Sequence, residues 1–236
     1  MPDKGAVMDS GYGDALDVIR AALKEHLSNI ALACSFQAED LAVLDMMVSI
    51  DQGVRVFALD TGRLNDETYE VAEKVRQRYG VAIQWMFPDR VEVEALMRRS
   101  GAYSFVESVS ARKECCRIRK VEPLKRALQG LTGWITGMRR EQAVTRDSLA
   151  TIEVDHVNGG ITKYNPIADW SVEDTWRYLH EHGVPFNRLY ERGYRQIGCA
   201  PCTTSVKPGE DDRAGRWRWE DEATKECGLH VDGSGI

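Results

Sequence analysis

Five of the six cysteines fall into patterns that suggest chemistry. Cys115 and Cys116 are adjacent in Lys113-Glu114-Cys115-Cys116-Arg117-Ile118-Arg119-Lys120, and Cys199-Ala200-Pro201-Cys202 is a C-x-x-C. An adjacent pair plus a C-x-x-C reads as one metal centre assembled from two distant segments. Each thiol must lose its proton to bind a metal, and only a cation offsets four neighbouring negative charges. A single zinc holds sulfur at about 2.3 Å and is usually gripped by C-x2-4-C knuckles. Adjacent helical residues point roughly 100° apart, at about 3.6 residues per turn, so their sulfurs diverge. A cubane iron–sulfur cluster, with wider-set ligands, suits the adjacent pair better, and Arg117, Arg119 and Lys120 would offset its charge. Zinc, a vicinal disulfide at Cys115-Cys116, and a set of unrelated buried thiols are the other readings.

The fifth cysteine stands apart, in Lys225-Glu226-Cys227-Gly228-Leu229-His230. Gly228 leaves room beside the sulfur, and Lys225, His230 and the arginines upstream would favour the thiolate, the nucleophilic form. The alternative is an incidental tail cysteine. Cys34, at the end of an apolar run, reads as packing.

The elements that must position these sulfurs alternate. A helix is expected over about 14–26, a buried strand over 29–34, a turn at Ser35–Asp40 and a helix from Ala38. A second strand over 54–59 ends in Asp60-Thr61-Gly62-Arg63, and a helix over 65–79 follows. A third strand spans 81–87 and a helix 91–99. This order predicts β-α-β units and a parallel sheet flanked by helices, with ligands at the carboxyl ends of the strands. Further on, the cysteine pair is expected to open a helix through about 128, interrupted or started near Pro123. A short strand over 133–137 delivers Arg139 and Arg140. Asn158-Gly159-Gly160 predicts a hairpin between 151–154 and 161–164, and Ser171-Val172-Glu173-Asp174 the capped start of a helix to about 182.

The 236 residues suit one α/β domain and a tail. Residues 1–207 are expected to form a nucleotide-binding α/β domain carrying the metal centre, and 208–236 a mobile C-terminal tail with Cys227. The net charge of −6 argues against general nucleic-acid affinity. Basic clusters on an acidic chain, at 112–125, Arg139-Arg140 and Arg213 to Arg218, point instead to a small anionic ligand. No segment has the apolar length of a membrane helix, and Met1–Gly5 has no signal-peptide core. The expectation is a cytoplasmic protein, where cysteines are metal ligands or reactive thiols rather than disulfides.

Several segments together resemble the iron–sulfur-containing assimilatory adenosine 5′-phosphosulfate reductases. They are Ser35-Phe36-Gln37-Ala38-Glu39-Asp40, Leu59-Asp60-Thr61-Gly62-Arg63, Cys115-Cys116-Arg117-Ile118-Arg119-Lys120-Val121-Glu122-Pro123-Leu124 and Thr136-Gly137-Met138-Arg139-Arg140-Glu141-Gln142. Ile197-Gly198-Cys199-Ala200-Pro201-Cys202-Thr203, Arg213-Ala214-Gly215-Arg216-Trp217 and Glu226-Cys227-Gly228-Leu229-His230 continue the match from about residue 28 to the end. The resemblance implies an adenine nucleotide alpha-hydrolase-like fold and a 4Fe–4S cluster on Cys115, Cys116, Cys199 and Cys202. It also implies that Cys227 attacks the sulfate sulfur, that adenosine monophosphate leaves an enzyme S-sulfocysteine, and that thioredoxin then releases sulfite. A homo-oligomer is implied by resemblance only.

That chemistry brings two anions together, so cations must offset the repulsion. Lys120, Arg139, Arg140, Arg213 and Arg216 are the candidates; the alternative for each is a solvated surface charge. Asp60 and Glu39 are candidates for ribose or adenine contacts, or else turn and cap residues, and His230 for orienting Cys227. Where related ATP pyrophosphatases carry Ser-Gly-Gly-x-Asp-Ser, this chain has Ser-Phe-Gln-Ala-Glu-Asp, which fits a nucleotide without pyrophosphate. The competing readings are a 3′-phosphoadenosine 5′-phosphosulfate reductase or dual-specificity enzyme, an adenylating ATP pyrophosphatase, and an iron–sulfur redox sensor.

Overall fold

In the computed structural model, residues 12–143 and 146–220 are described. The run Ile30-Ala31-Leu32-Ala33 carries no polar side chain, as a strand covered on both faces requires. It forms β1 (Ile30–Ala33), and every residue in it is buried. On one side lie β2 (Val56–Leu59) and β3 (Ile83–Met86), and on the other β4 (Gly133–Ile135), all parallel. β6 (Ile161–Tyr164) runs parallel to β4, and β5 (Ile152–Asp155) closes the edge antiparallel to β6. The six-stranded order is β3-β2-β1-β4-β6-β5. Gly159 and Gly160 turn the β5–β6 hairpin at φ 85° and 76°, values that only glycine adopts freely.

The helices bury apolar residues, as the spacing predicts. α1 (Gly13–His26), ahead of the first strand, buries Leu16, Ile19 and Ala22, and α2 (Ala38–Ile50), the first crossover, buries Leu41, Leu44 and Met47. α3 (Asp66–Tyr79) and α4 (Arg90–Ser100) complete the first half. In the second half, α7 (Val172–Glu181) opens with the expected reciprocal cap, Ser171 Oγ accepting from Asp174 N while the Asp174 carboxylate accepts from Ser171 N.

The cysteine pair is placed differently from expectation. α5 (Val109–Cys116) starts six residues earlier, where Ser108 Oγ accepts from Ala111 N at 3.1 Å. The pair therefore closes α5 instead of opening a helix. The chain continues through a wide π turn, Arg117–Val121, into α6 (Glu122–Leu128). Pro123 explains the widening: it has no N–H to give the Arg119 carbonyl, and its ring crowds that carbonyl in a regular α-helix.

The sheet order reverses at β1. After β1 the chain moves outward to β2 and β3, then returns to β4 on the other flank. The loops that follow β1 and β4 diverge there and open a crevice at the carboxyl ends of the strands. Its floor is a close contact. Gly137 N donates to Asp40 Oδ1 at 3.1 Å, and a Cβ on Gly137 would lie 2.5 Å from that oxygen and 2.7 Å from Asp40 N. Gly137→Ala must push the two loops apart. It should lower the unfolding free energy by about 1–3 kcal/mol, read as a lower midpoint in a urea titration; an unchanged midpoint would contradict the packing.

Candidate active site

The crevice is a cleft of about 520 Å³, within the range of small-molecule sites. Its first wall is the turn after β1. Phe36 has φ 62° and its ring packs 5.5 Å from that of Trp85 on β3. Asp40 is buried and gathers this turn: its Oδ2 accepts from Ser35 N at 2.6 Å and from Ser35 Oγ at 2.5 Å. Burial holds the Asp40 carboxyl up at about 6, against the lowering effect of the Ser35 and Gly137 hydrogen bonds. Gln37 crosses the cleft, its Oε1 accepting from Ile197 N at 2.9 Å. The segment that carries the C-x-x-C is thus tied to the β1 turn.

The candidate anion and nucleotide contacts divide. Glu39 and Arg139 both line the cleft, but they face each other, Arg139 Nη2 donating to Glu39 Oε1 at 2.8 Å and Arg139 Nη1 to the Trp170 carbonyl at 3.2 Å. Arg140 is not part of the cleft wall: it pairs with Asp169 and donates to the Leu149 carbonyl at 2.7 Å. Asp60 is a buried turn residue. It accepts from Gly62 N at 2.7 Å and from Tyr69 Oη at 2.8 Å and does not line the cleft. Lys120, Arg213 and Arg216 all line it. Arg146 and Arg195 do so as well and were not singled out in the sequence; nothing in their local spacing distinguishes them from solvated arginines. Cys227 and His230 lie outside the described residues.

Cys115, Cys116, Cys199 and Cys202 line one second, small cavity, although 82 residues lie between Cys116 and Cys199 in the chain. Two segments build it. α5 and the π turn bring Cys115, Cys116, Arg119 and Lys120, and the 198–217 segment brings the other pair. The latter folds back on itself, with Trp217 N donating to the Cys202 carbonyl at 3.2 Å and Thr203 bridged to Arg216. Gly198 is required where Arg216 crosses: a Cβ there would sit 1.9 Å from Arg216 Nη1. Thr61, from the turn after β2, places its Oγ1 3.2 Å from Cys199 Sγ, and Ala200 N donates to the Arg63 carbonyl at 2.8 Å. The Leu59-Asp60-Thr61-Gly62-Arg63 turn therefore serves the cysteines at least as much as the cleft, a role the sequence reading did not assign.

Charge around this cavity is strongly positive. Arg63, Arg112, Arg119, Lys120 and Arg216 line it. Arg119 Nη1 donates to the Thr61 carbonyl at 2.6 Å, and the Arg112 and Arg216 guanidiniums lie 4.3 and 4.5 Å from the Trp217 ring centroid. Burial pushes the Cys115 thiol up, with Arg119 and Arg63 pulling the other way. Burial, aided by Cys199, pushes Cys202 up to about 11, against Lys120 and Arg216. The cleft and the cavity share Lys120, Cys199, Arg216 and Trp217.

A family model described as the phosphoadenosine phosphosulfate reductase domain matches residues 29–205. The chain is 47% identical over 218 residues to the adenosine 5′-phosphosulfate reductase of Burkholderia cepacia, covering 92% of this chain and 87% of that one. It is also 47% identical to the chloroplastic 5′-adenylylsulfate reductase 3 of Arabidopsis thaliana over 91% of this chain, and spans 48% of that longer relative. Among solved structures, the phosphoadenylyl-sulfate reductase of Candida auris superposes with a TM-score of 0.69 at 26% identity, over 86% of this chain and all of that one. The FMN adenylyltransferase of Candida glabrata, at TM-score 0.60 and 12% identity over 95% of this chain and 78% of that one, shares the fold alone. The family match reaches from β1 through the second cysteine pair, and so takes in the turns after β1 and β4 that wall the cleft and all four clustered thiols: the chain belongs to the phosphoadenosine phosphosulfate reductase family.

Proposed function

We propose that this chain is an enzyme of sulfate assimilation that reduces adenosine 5′-phosphosulfate to sulfite and adenosine monophosphate, with Cys227 as nucleophile and thioredoxin as reductant. The observation that carries the reading is the shared wall. Four clustered thiols border a nucleotide-sized cleft at the sheet's switch point, and Lys120 and Arg216 belong to both. Relatives at 42–47% identity that bear adenosine 5′-phosphosulfate or 5′-adenylylsulfate reductase names support the substrate.

The residues around the second cavity fit a 4Fe–4S cluster on Cys115, Cys116, Cys199 and Cys202. Four thiols supply the sulfur donors. Arg119 Nε and Trp217 Nε1 are buried without a hydrogen-bond partner among the described residues, which leaves two donors for sulfur acceptors between them. An adjacent pair at a helix end, with sulfurs that diverge, suits the wider-set ligands of a cubane better than a single zinc. When bound, the cluster supplies a fixed anionic centre that the surrounding cations offset.

The nucleotide lies over the carboxyl ends of β1, β2 and β4, and its phosphosulfate faces Lys120, Arg213 and Arg216. Arg139, held by Glu39, stiffens the cleft wall. The Cys227 thiolate attacks the sulfonyl sulfur. An S–S bond forms, the S–O bond to the phosphate breaks, and adenosine monophosphate departs with the electron pair. Cations offset the repulsion between thiolate and sulfate as the two meet. One thiolate of the reductant then attacks the Cys227 sulfur, sulfite leaves with the S–S electron pair, and the second thiolate frees Cys227 as the reductant becomes a disulfide. Sulfur gains two electrons and the dithiol loses two. A cycle that needs the Cys227 thiolate and a dithiol reductant fits a reducing compartment such as the cytoplasm; among the described residues no helix is long and apolar enough to cross a membrane.

Mass spectrometry after incubation with adenosine 5′-phosphosulfate without reductant should find a sulfonate adduct on Cys227. Cys227→Ser should form none while remaining brown; sulfite production by that variant would contradict the assignment. Lys120→Ala should slow adduct formation by about 10²-fold with cluster absorbance intact, read by rapid quench, and an unchanged rate would contradict its place between the two cavities. In competition kinetics the 3′-phosphorylated nucleotide should be the poorer substrate; equal use would make the enzyme dual-specific.

A further inference from the structure

We propose that the exposed apolar patch formed by Met97, Tyr103, Val106 and Trp219 is the docking surface for the dithiol reductase that strips sulfite from Cys227; this rests on the reading above. The patch has a rigid foundation. Phe105, 2% exposed, lies beneath it, with ring centroids 5.9 Å from Tyr103 and 5.7 Å from Trp219. Arg63 stacks 5.0 Å over Phe105, donates to the Ala102 carbonyl at 2.5 Å and reaches Met97 Sδ at 3.8 Å. Tyr103 is 68% exposed, Val106 43%, Met97 39% and Trp219 39%.

Trp219 is presented outward by its neighbours. Trp217 is fully buried, and Arg218 is tied to Glu210 and the Ser205 carbonyl. Glu220 is locked by Arg112 through Nε at 2.5 Å and Nη2 at 2.9 Å, with both side chains almost completely buried. A buried, bidentate pair of this kind is strongly destabilised by loss of either partner. The backbone on both sides of Trp219 is therefore held, yet its indole is left in water. Exposed aromatic clusters of this sort mark protein–protein contacts, with Trp and Tyr as the usual anchors.

The location selects the occupant. Cys227 follows Glu220 by seven residues, so its sulfur stays within about 25 Å of Glu220 at ~3.6 Å per residue. A reductase that must meet the S-sulfocysteine meets it within that radius, and Trp219, the residue before Glu220, brings the patch inside it. Four side chains suit a small, short-lived redox interface, which buries under about 1,200 Å².

The test uses the holoenzyme carrying preformed S-sulfo-Cys227, and compares sulfite release by thioredoxin with release by dithiothreitol, which needs no docking. Tyr103→Asp and, separately, Val106→Asp should raise the KM for thioredoxin by about tenfold or more, with adduct formation, cluster absorbance and the dithiothreitol rate unchanged. An unchanged thioredoxin KM in both variants would overturn the docking surface. So would a shift in sedimentation without a change in KM, which would assign the patch to a second copy of the chain. Absence of any adduct in the parent protein would overturn the reduction reading itself, and this surface with it.

Discussion

The seam where the 198–220 segment is pressed onto α5 and its π turn is the constraint on which the site depends. A C-x-x-C and an adjacent cysteine pair have no reason to meet unless something else holds the two segments together, because four thiols without a metal attract one another little. Arg216 and Trp217 make that seam. The ring of Trp217 lies within cation–π distance of Arg112 and Arg216, and it packs with Cys116 and Cys202 in a small apolar cluster. The Arg112–Glu220 pair closes it from below. Three guanidinium or indole groups and one carboxylate thereby preset the geometry that the sulfurs need.

That seam also fixes how the two cavities relate. Lys120 lies in the π turn that begins after Cys116, and Arg216 precedes the indole that seals the cysteines, so neither cation can serve one cavity without bordering the other. A positive wall between the cleft and the cysteine cavity is useful only if the cleft receives an anion. The Glu39–Arg139 pair shows the opposite strategy within the same cleft, where a cation is neutralised and made part of the frame.

Much of the fold was legible in the chain. The all-apolar β1 run, the alternation with amphipathic helices and the Gly159-Gly160 hairpin each follow from local patterning. The capped start of α7 was legible too, because its Ser-x-x-Asp box is local. The start of α5 is not legible because Ser108 is an ordinary-looking cap with a weakly amphipathic helix behind it. In the site, the residue types of the cysteine cavity could be read from spacing. The fate of the arginines could not: Arg139, Arg140 and Arg216 look alike in sequence, and only tertiary partners separate a framework cation from one that faces the cleft. Asp60 and Thr61 show the same limit, since a turn at a strand end can serve ligand or scaffold, and here it reaches the Cys199 sulfur.

If four cysteines from two segments share one inorganic centre beside the cleft, the purified protein carries iron and sulfide in equal number. Anaerobic purification followed by iron and acid-labile sulfide analysis, with Mössbauer spectroscopy on iron-57-enriched protein, tests it most directly. The account predicts about four irons and four sulfides per chain, with the spectrum of a single cubane, and loss of that spectrum in Cys116→Ser and in Cys202→Ser alike. Metal-free protein, stoichiometric zinc, or a cluster that survives removal of either pair would contradict it.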